Sequence, residues 1–231
     1  MQVQDETSFG TLRAQMVWEQ LVRRGIRDQR VLDVMGRVSR ECFVPPEKAP
    51  FAYEDKALSV GHGQTISQPY MVALTLEALA LDEDHRVLEV GTGTGYMTAL
   101  LAELAREVIS LEVIPELAES AQERLRSMGY RHVSILQGDG SKGHAAHAPY
   151  DRIAVGAGSP GVPHSLQEQL SDGGILVIPV GSRSQQDLRR IVHRMGRFTD
   201  EGLCPCIYVP LVGEEGWRQE QAWGLPGRSS K

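Results

Sequence analysis

The chain reads as an α/β protein, a doubly wound and mainly parallel sheet preceded by a helical cap. Two observations carry that reading. From Arg86 onward, short apolar runs alternate with stretches of helical periodicity, the pattern of strands buried on both faces and joined through helices. Before Arg86 the periodicity is helical, and a segment rich in proline, glycine and charge interrupts it.

Taken in order, residues 11–24 and 28–38 carry apolar residues at helical spacing: Leu12, Met16 and Leu21, then Val31, Leu32 and Met35, with Gly25 between the two sets. Residues 43–63 read as connecting loop. Residues 68–81 return to helix, with Pro69 acceptable in a first turn and Ser67 placed as a helix cap. Strands are expected at 86–90, 107–111, 133–137, 152–155 and 175–180, with helices at 96–105, 115–127 and 164–170 between them. Two final strands, 188–194 and 206–211, complete the sheet. The resulting division is a helical cap with a substrate-side loop over 1–82, a ligand-binding core over 83–212, and a loosely held tail over 213–231 with little apolar content.

Composition limits the function classes. A chain of 231 residues, 41% hydrophobic and 23% charged, can bury one substantial core. A formal charge of −6 leaves no basic footprint for a phosphate backbone, so no nucleic-acid partner is expected. Nor is a membrane, because no apolar run approaches bilayer length and the start is polar. A cytoplasmic monomer is the expectation. Cys42, Cys204 and Cys206 lack the spacing of a zinc site and read as reduced thiols, with no metal.

The chemistry concentrates after the first core strand. Gly91, Thr92, Gly93 and Gly95 form a glycine loop between a strand and a helix, which permits close backbone approach and leaves free amides at the helix start. Glu89 precedes it by two residues, an arrangement favoured for S-adenosyl-L-methionine. Glu112 ends the next strand, where a carboxylate can accept hydrogen bonds from a ribose. Asp139 and Gly140 follow the third; alone they are an ordinary Asp-Gly turn, but here the carboxylate can meet an adenine amino group while the glycine lets the backbone approach. Three carboxylates at three successive strand ends face one crevice, so the core reads as a Rossmann-like S-adenosyl-L-methionine-dependent methyltransferase.

The acceptor is indicated by Gly61, Gly63, Gln64, Thr65, Ile66, Ser67 and Pro69. This run resembles the Gly-x-Gly-Gln-Thr-Ile-Ser-x-Pro segment of the protein-L-isoaspartate O-methyltransferases. Arg40 to Pro45, Gly173 to Gly181 and Tyr208 to Leu211 are similar to family segments as well. The resemblance implies methyl esterification of the α-carboxylate of L-isoaspartyl residues in damaged proteins and peptides. Gln64, Thr65, Ile66 and Ser67 would hold that residue beside the methyl donor, and the ester would cyclise to a succinimide that partly reopens as aspartate. A free α-carboxyl with a pKa of about 3.5 is already ionised near neutrality, so Ser67 is assigned an orienting hydrogen bond and no nucleophilic role. His62 and His164 have no identifiable partners for nucleophilic catalysis.

Two departures from the family pattern bear on the acceptor. Gly156 and Gly158 stand where many members carry threonine and alanine, and the segment after Leu211 has no secure counterpart. Two other readings therefore stand beside the first: an aspartyl O-methyltransferase acting on a dedicated biosynthetic peptide, and a non-catalytic adenosyl- or peptide-binding module.

Overall fold

A computed structural model describes residues 2–218, with side chains from Phe9 onward. The chain begins with α1 (Gln2–Gln15), which widens into a π-helical turn at Met16–Leu21 and tightens to a 3-10 turn at Val22–Arg24. The wide turn brings Met16 and Leu21 together into the core. Gly25 ends the run in the left-handed conformation at φ 101°. In α2 (Gln29–Arg37), Asp28 caps the helix by accepting from the Arg30 amide at 2.9 Å.

The stretch expected as loop carries more structure than its composition suggests. Short 3-10 turns at Arg40–Phe43 and Pro46–Phe51 lead into an antiparallel hairpin of β1 (Leu58–Gly61) and β2 (Gln64–Ile66). Its two-residue turn, His62 and Gly63, has φ of 52° and 68°, the positive values that match hairpin twist. In α3 (Pro69–Leu79), proline takes the first helical position, so the cap falls on Gln68. Ser67 is therefore not the cap: its carbonyl accepts from Arg40 Nη2 at 2.7 Å, one residue before the helix.

Beyond α3 the alternation is regular. β3 (Arg86–Val90), α4 (Tyr96–Leu104), β4 (Glu107–Glu112), α5 (Pro115–Ser127), β5 (Val133–Gln137), β6 (Tyr150–Val155), α6 (His164–Glu168), β7 (Leu170–Gly181), β8 (Gln186–Arg194) and β9 (Arg197–Cys206) follow in turn. The sheet order is β5-β4-β3-β6-β7-β8-β9, parallel through β7 and antiparallel for the last two strands. Alternate residues serve opposite faces: Val87 and Val108 join one apolar cluster, Leu88, Ile109 and Ile153 the other. Because β3 lies between β4 and β6, the chain's direction of winding reverses there, and a crevice opens at the carboxyl ends of these strands.

Two sequence expectations need correction. The last strand is Arg197–Cys206, which turns back on β8 through Met195 and Gly196 at φ 50° and 69°. As a solvent-facing edge strand it has no apolar run to announce it. Residues 206–211 are apolar for another reason. They leave the sheet edge, tie to Gly158 through Gly158 N to Val209 O at 2.7 Å and Leu211 N to Gly158 O at 2.8 Å, and line the crevice.

The second correction concerns the tail, which is firmly held over residues 213–217. Glu214 N donates to Asp139 Oδ2 at 2.8 Å, Glu215 N to Ser141 Oγ at 3.0 Å, and Trp217 Nε1 to Gly158 O at 3.0 Å. A Cβ on Gly213 would stand 2.0 Å from Asp139 Oδ1, so glycine is what admits this close approach. Residues 219–231 lie outside the described part of the chain. No helix among the described residues is long and apolar enough to cross a membrane.

Candidate active site

The side expected to hold the donor is built from strand ends. Gly91, Gly93 and Gly95 take φ of 92°, 55° and 86°, and this left-handed run bends the chain from β3 into α4. Glu112 is buried at the end of β4, with Oε2 accepting from Gly93 N at 2.8 Å and Oε1 from Ile114 N at 3.0 Å. Each oxygen keeps further acceptor capacity. Glu112 borders a cavity with Gly91, Gly93, Gly140, Leu211 and Val212.

Glu89 stands behind the loop. Its Oε2 accepts from Thr98 Oγ1 at 2.6 Å and Ser110 Oγ at 2.5 Å, and Ser110 Oγ lies 2.6 Å from Thr92 Oγ1. Oε1 is buried without a partner. Burial pushes this carboxyl up to about 7 against the two hydroxyl bonds, which favour its charge; the nearby Glu112 charge raises it further. Glu89 thus holds Thr92 and the glycine loop through hydroxyls, and it borders a central cavity with Ser67, Tyr96 and Tyr208.

Asp139 has a structural task beside the ligand contact expected of it. Oδ1 accepts from Ser141 N and Oγ at 2.9 and 2.7 Å, while Oδ2 accepts from Glu214 N. The carboxylate fastens the segment that follows Leu211 and Val212, and so shapes the donor cavity's wall from behind. Gly140 borders that cavity, yet a Cβ there would meet Val90 Cγ1 at 2.4 Å. Packing against β3 also calls for glycine at this position.

The side expected to hold the acceptor comes from irregular segments. An open cavity is lined by Thr65, Ser67, Met71, Cys206, Ile207 and Tyr208. Thr65 and Gly156 border this cavity, the central one and the donor cavity alike, so the three meet between those two residues. The other substrate candidates divide: Ile66 is buried and borders the central cavity, whereas Gln64 lies on the donor cavity. His164 pairs with exposed Glu168 at 3.4 Å.

Three contributors carried no assigned role in the sequence. Buried Gln186 accepts from Tyr208 N at 2.7 Å and donates to Ser182 O at 2.5 Å. A Cβ on Gly158 would stand 2.9 Å from its Cδ, which accounts for glycine at 158. Tyr208, whose phenol burial pushes up, has its hydroxyl among those of Ser67 and Thr75. Arg40 is fully buried, donating from Nε to Ala52 O and from Nη2 to Ser67 O, both at 2.7 Å. Arg40 and Tyr208 both lie in segments with a family echo; Gln186 left no signal, because it acts across strands.

The family profile described as Protein-L-isoaspartate(D-aspartate) O-methyltransferase (PCMT) matches residues 12–216. The chain belongs to that family. A protein-L-isoaspartate O-methyltransferase of Dictyoglomus turgidum is 50% identical over 200 residues, covering 87% of this chain and 91% of its own. That of Methanoculleus marisnigri is 48% identical over 208 residues, covering 90% and 94%. Among solved structures, a beta-aspartate methyltransferase (PCMT) of Plasmodium falciparum in complex with S-adenosyl-L-homocysteine superposes with a TM-score of 0.77 at 26% identity, covering 87% of this chain and 99% of that one.

The cavities suit the family's cofactor. A glycine loop with bare backbone, a buried carboxylate at a strand end and an orphaned buried Glu89 Oε1 are compatible with an adenosyl sulfonium donor. S-Adenosyl-L-methionine is the cofactor of this family member.

Proposed function

We infer that the protein esterifies the α-carboxylate of L-isoaspartyl residues in proteins and peptides, using S-adenosyl-L-methionine. The observation that carries this reading is the junction at Thr65 and Gly156, where the donor-side cavities open into an acceptor cavity walled by Ser67 and Tyr208. When bound, the cofactor supplies an electrophilic methyl group on a positively charged sulfur.

The residues of the chain have modest work to do. The acceptor carboxylate is ionised at neutral pH, so no base is needed to activate it. Alignment dominates, and fixing reactants in line can contribute roughly 7–11 kcal/mol. Ser67 Oγ orients the carboxylate, and Thr65 and the bare backbone of Gly156 frame the transfer point. Glu112 takes the ribose hydroxyls, while Glu89 holds the glycine loop in shape.

The direct test is transfer of labelled methyl to an isoaspartyl peptide, with its aspartyl twin as control. Labelling of the isoaspartyl peptide alone is expected. Labelling of the aspartyl twin instead would make the protein an aspartyl O-methyltransferase, and donor binding without transfer to either would leave a binding module.

A further inference from the structure

Arg40 has a setting that its packing alone does not explain. Its side chain is wholly shielded from water, and a buried charge is costly unless an opposite charge meets it. Among the described residues no carboxylate lies within ion-pair distance. The neighbouring Glu41 is turned away, taken up by Arg13 and the Tyr53 hydroxyl. Two carbonyls, Ala52 O and Ser67 O, accept from the guanidinium, while Nη1 makes no hydrogen bond of ordinary geometry. The guanidinium carbon lies 5.0 Å from the centre of the Tyr96 ring, and the guanidinium interacts with the buried Tyr96 hydroxyl, a neutral partner that meets it without ordinary hydrogen-bond geometry.

The position of this charge matters. Ser67 separates Arg40 from the acceptor cavity, and Tyr96 separates it from the central one. Among the described residues, the one cation lining the acceptor cavity itself, Lys56, is exposed and already paired with Glu54. Burial holds the Tyr96 phenol in its neutral form, so the ring does not cancel the arginine charge. An arginine keeps its proton in such surroundings, and low-polarity packing lets its field reach across one residue's thickness.

We propose that Arg40 is a positioning residue for the acceptor, a fixed positive charge behind Ser67 that selects a carboxylate over an uncharged group of the same shape. The missing counter-charge is then supplied by the substrate. Its bonds to Ala52 O and Ser67 O fix that charge relative to the hairpin and the 3-10 segment. The proposal rests on the isoaspartyl reading of the site, and it predicts a preference that a purely structural arginine would not confer.

The test uses an isoaspartyl peptide and its isoasparaginyl twin, in which a carboxamide replaces the carboxylate. Binding of each is measured by calorimetry on the full chain saturated with S-adenosyl-L-homocysteine, so no turnover is involved, and methyl transfer by the wild type separately tests the proposed activity. In Arg40→Met the carboxylate should bind about tenfold more weakly, with carboxamide and S-adenosyl-L-homocysteine affinities unchanged. Arg40→Lys keeps the charge and should keep most of the preference, though its melting temperature falls as one carbonyl bond is lost. Equal weakening of both peptides in Arg40→Met, or an unaltered preference, overturns the proposal. Should Arg40→Met fail to fold, the lysine variant decides: a folded Arg40→Lys without the preference overturns it equally.

Discussion

The donor and acceptor halves of the site are built on different principles. On the donor side Glu112 and the glycine loop project from the ends of adjacent parallel strands and bond to backbone amides within a few residues of the sheet. On the acceptor side Thr65, Ser67, Gly156 and Tyr208 come from a hairpin, a helix entrance, a strand end and an extended exit segment. What holds them in register is a set of buried side-chain braces, Arg40 on Ser67 and Gln186 on Tyr208. A sheet can therefore fix the invariant chemistry of the donor, while separately braced segments can be adjusted to an acceptor.

If that contrast is sound, disturbances should stay on their own side. The largest effect is expected at Glu89, on the donor side. Its folded value of about 7 lies above the ordinary 4.5, so the folded state keeps a proton that the unfolded chain releases between those values. The stability contributed is complete below about pH 4.5 and is lost as pH rises through 7, by roughly 3 kcal/mol. Melting curves of the cofactor-free protein should show this decline, and Glu89→Gln should remove it; parallel pH profiles for the two would disprove the assignment.

Next comes Glu112→Ala, which should weaken donor binding by about 1.5–3 kcal/mol through loss of charge-assisted hydrogen bonds. Calorimetry would show it, and peptide affinity should change little. Gln186→Ala inverts the pattern. It strips partners from the Tyr208 amide and the Ser182 carbonyl, costing about 1–3 kcal/mol of stability and raising the peptide KM with donor affinity intact. Equal damage to both ligands would erase the distinction between the halves.

The smallest effect is expected at Ser67. Ser67→Ala should lower kcat/KM roughly fivefold, the equivalent of about 1 kcal/mol for one hydrogen bond, and leave no covalent enzyme species in the mass spectrum. Because Gln68, not Ser67, caps α3, the melting temperature should hold. A trapped adduct on wild-type Ser67 would make it a nucleophile instead.

The same contrast decides what the sequence could reveal. The strands β3 to β7, the glycine loop and Glu112 are local patterns, readable because strand ends in a parallel sheet share one edge. The hairpin of β1 and β2 was hidden by its length, four and three residues that include the polar Ser59, Gln64 and Thr65. β9 was hidden because solvent on its outer edge removes the apolar run, and residues 206–211 were misread as a strand because cavity walls are apolar too. Arg40, Gln186 and the pairing of Asp139 with Glu214 join residues far apart in the chain. No periodicity records such contacts.

The clasp between Asp139, Ser141 and residues 213–217 has a consequence for how the molecule is made. Leu211 and Val212 wall the donor cavity, and the bonds from Glu214, Glu215 and Trp217 hold them there. During synthesis the sheet through β7 can assemble while this segment is still inside the ribosome, but the pocket cannot close. Tight retention of the methyl donor then begins only after Trp217 has emerged, so a prematurely terminated chain would fold much of its core and still be unable to hold the reagent.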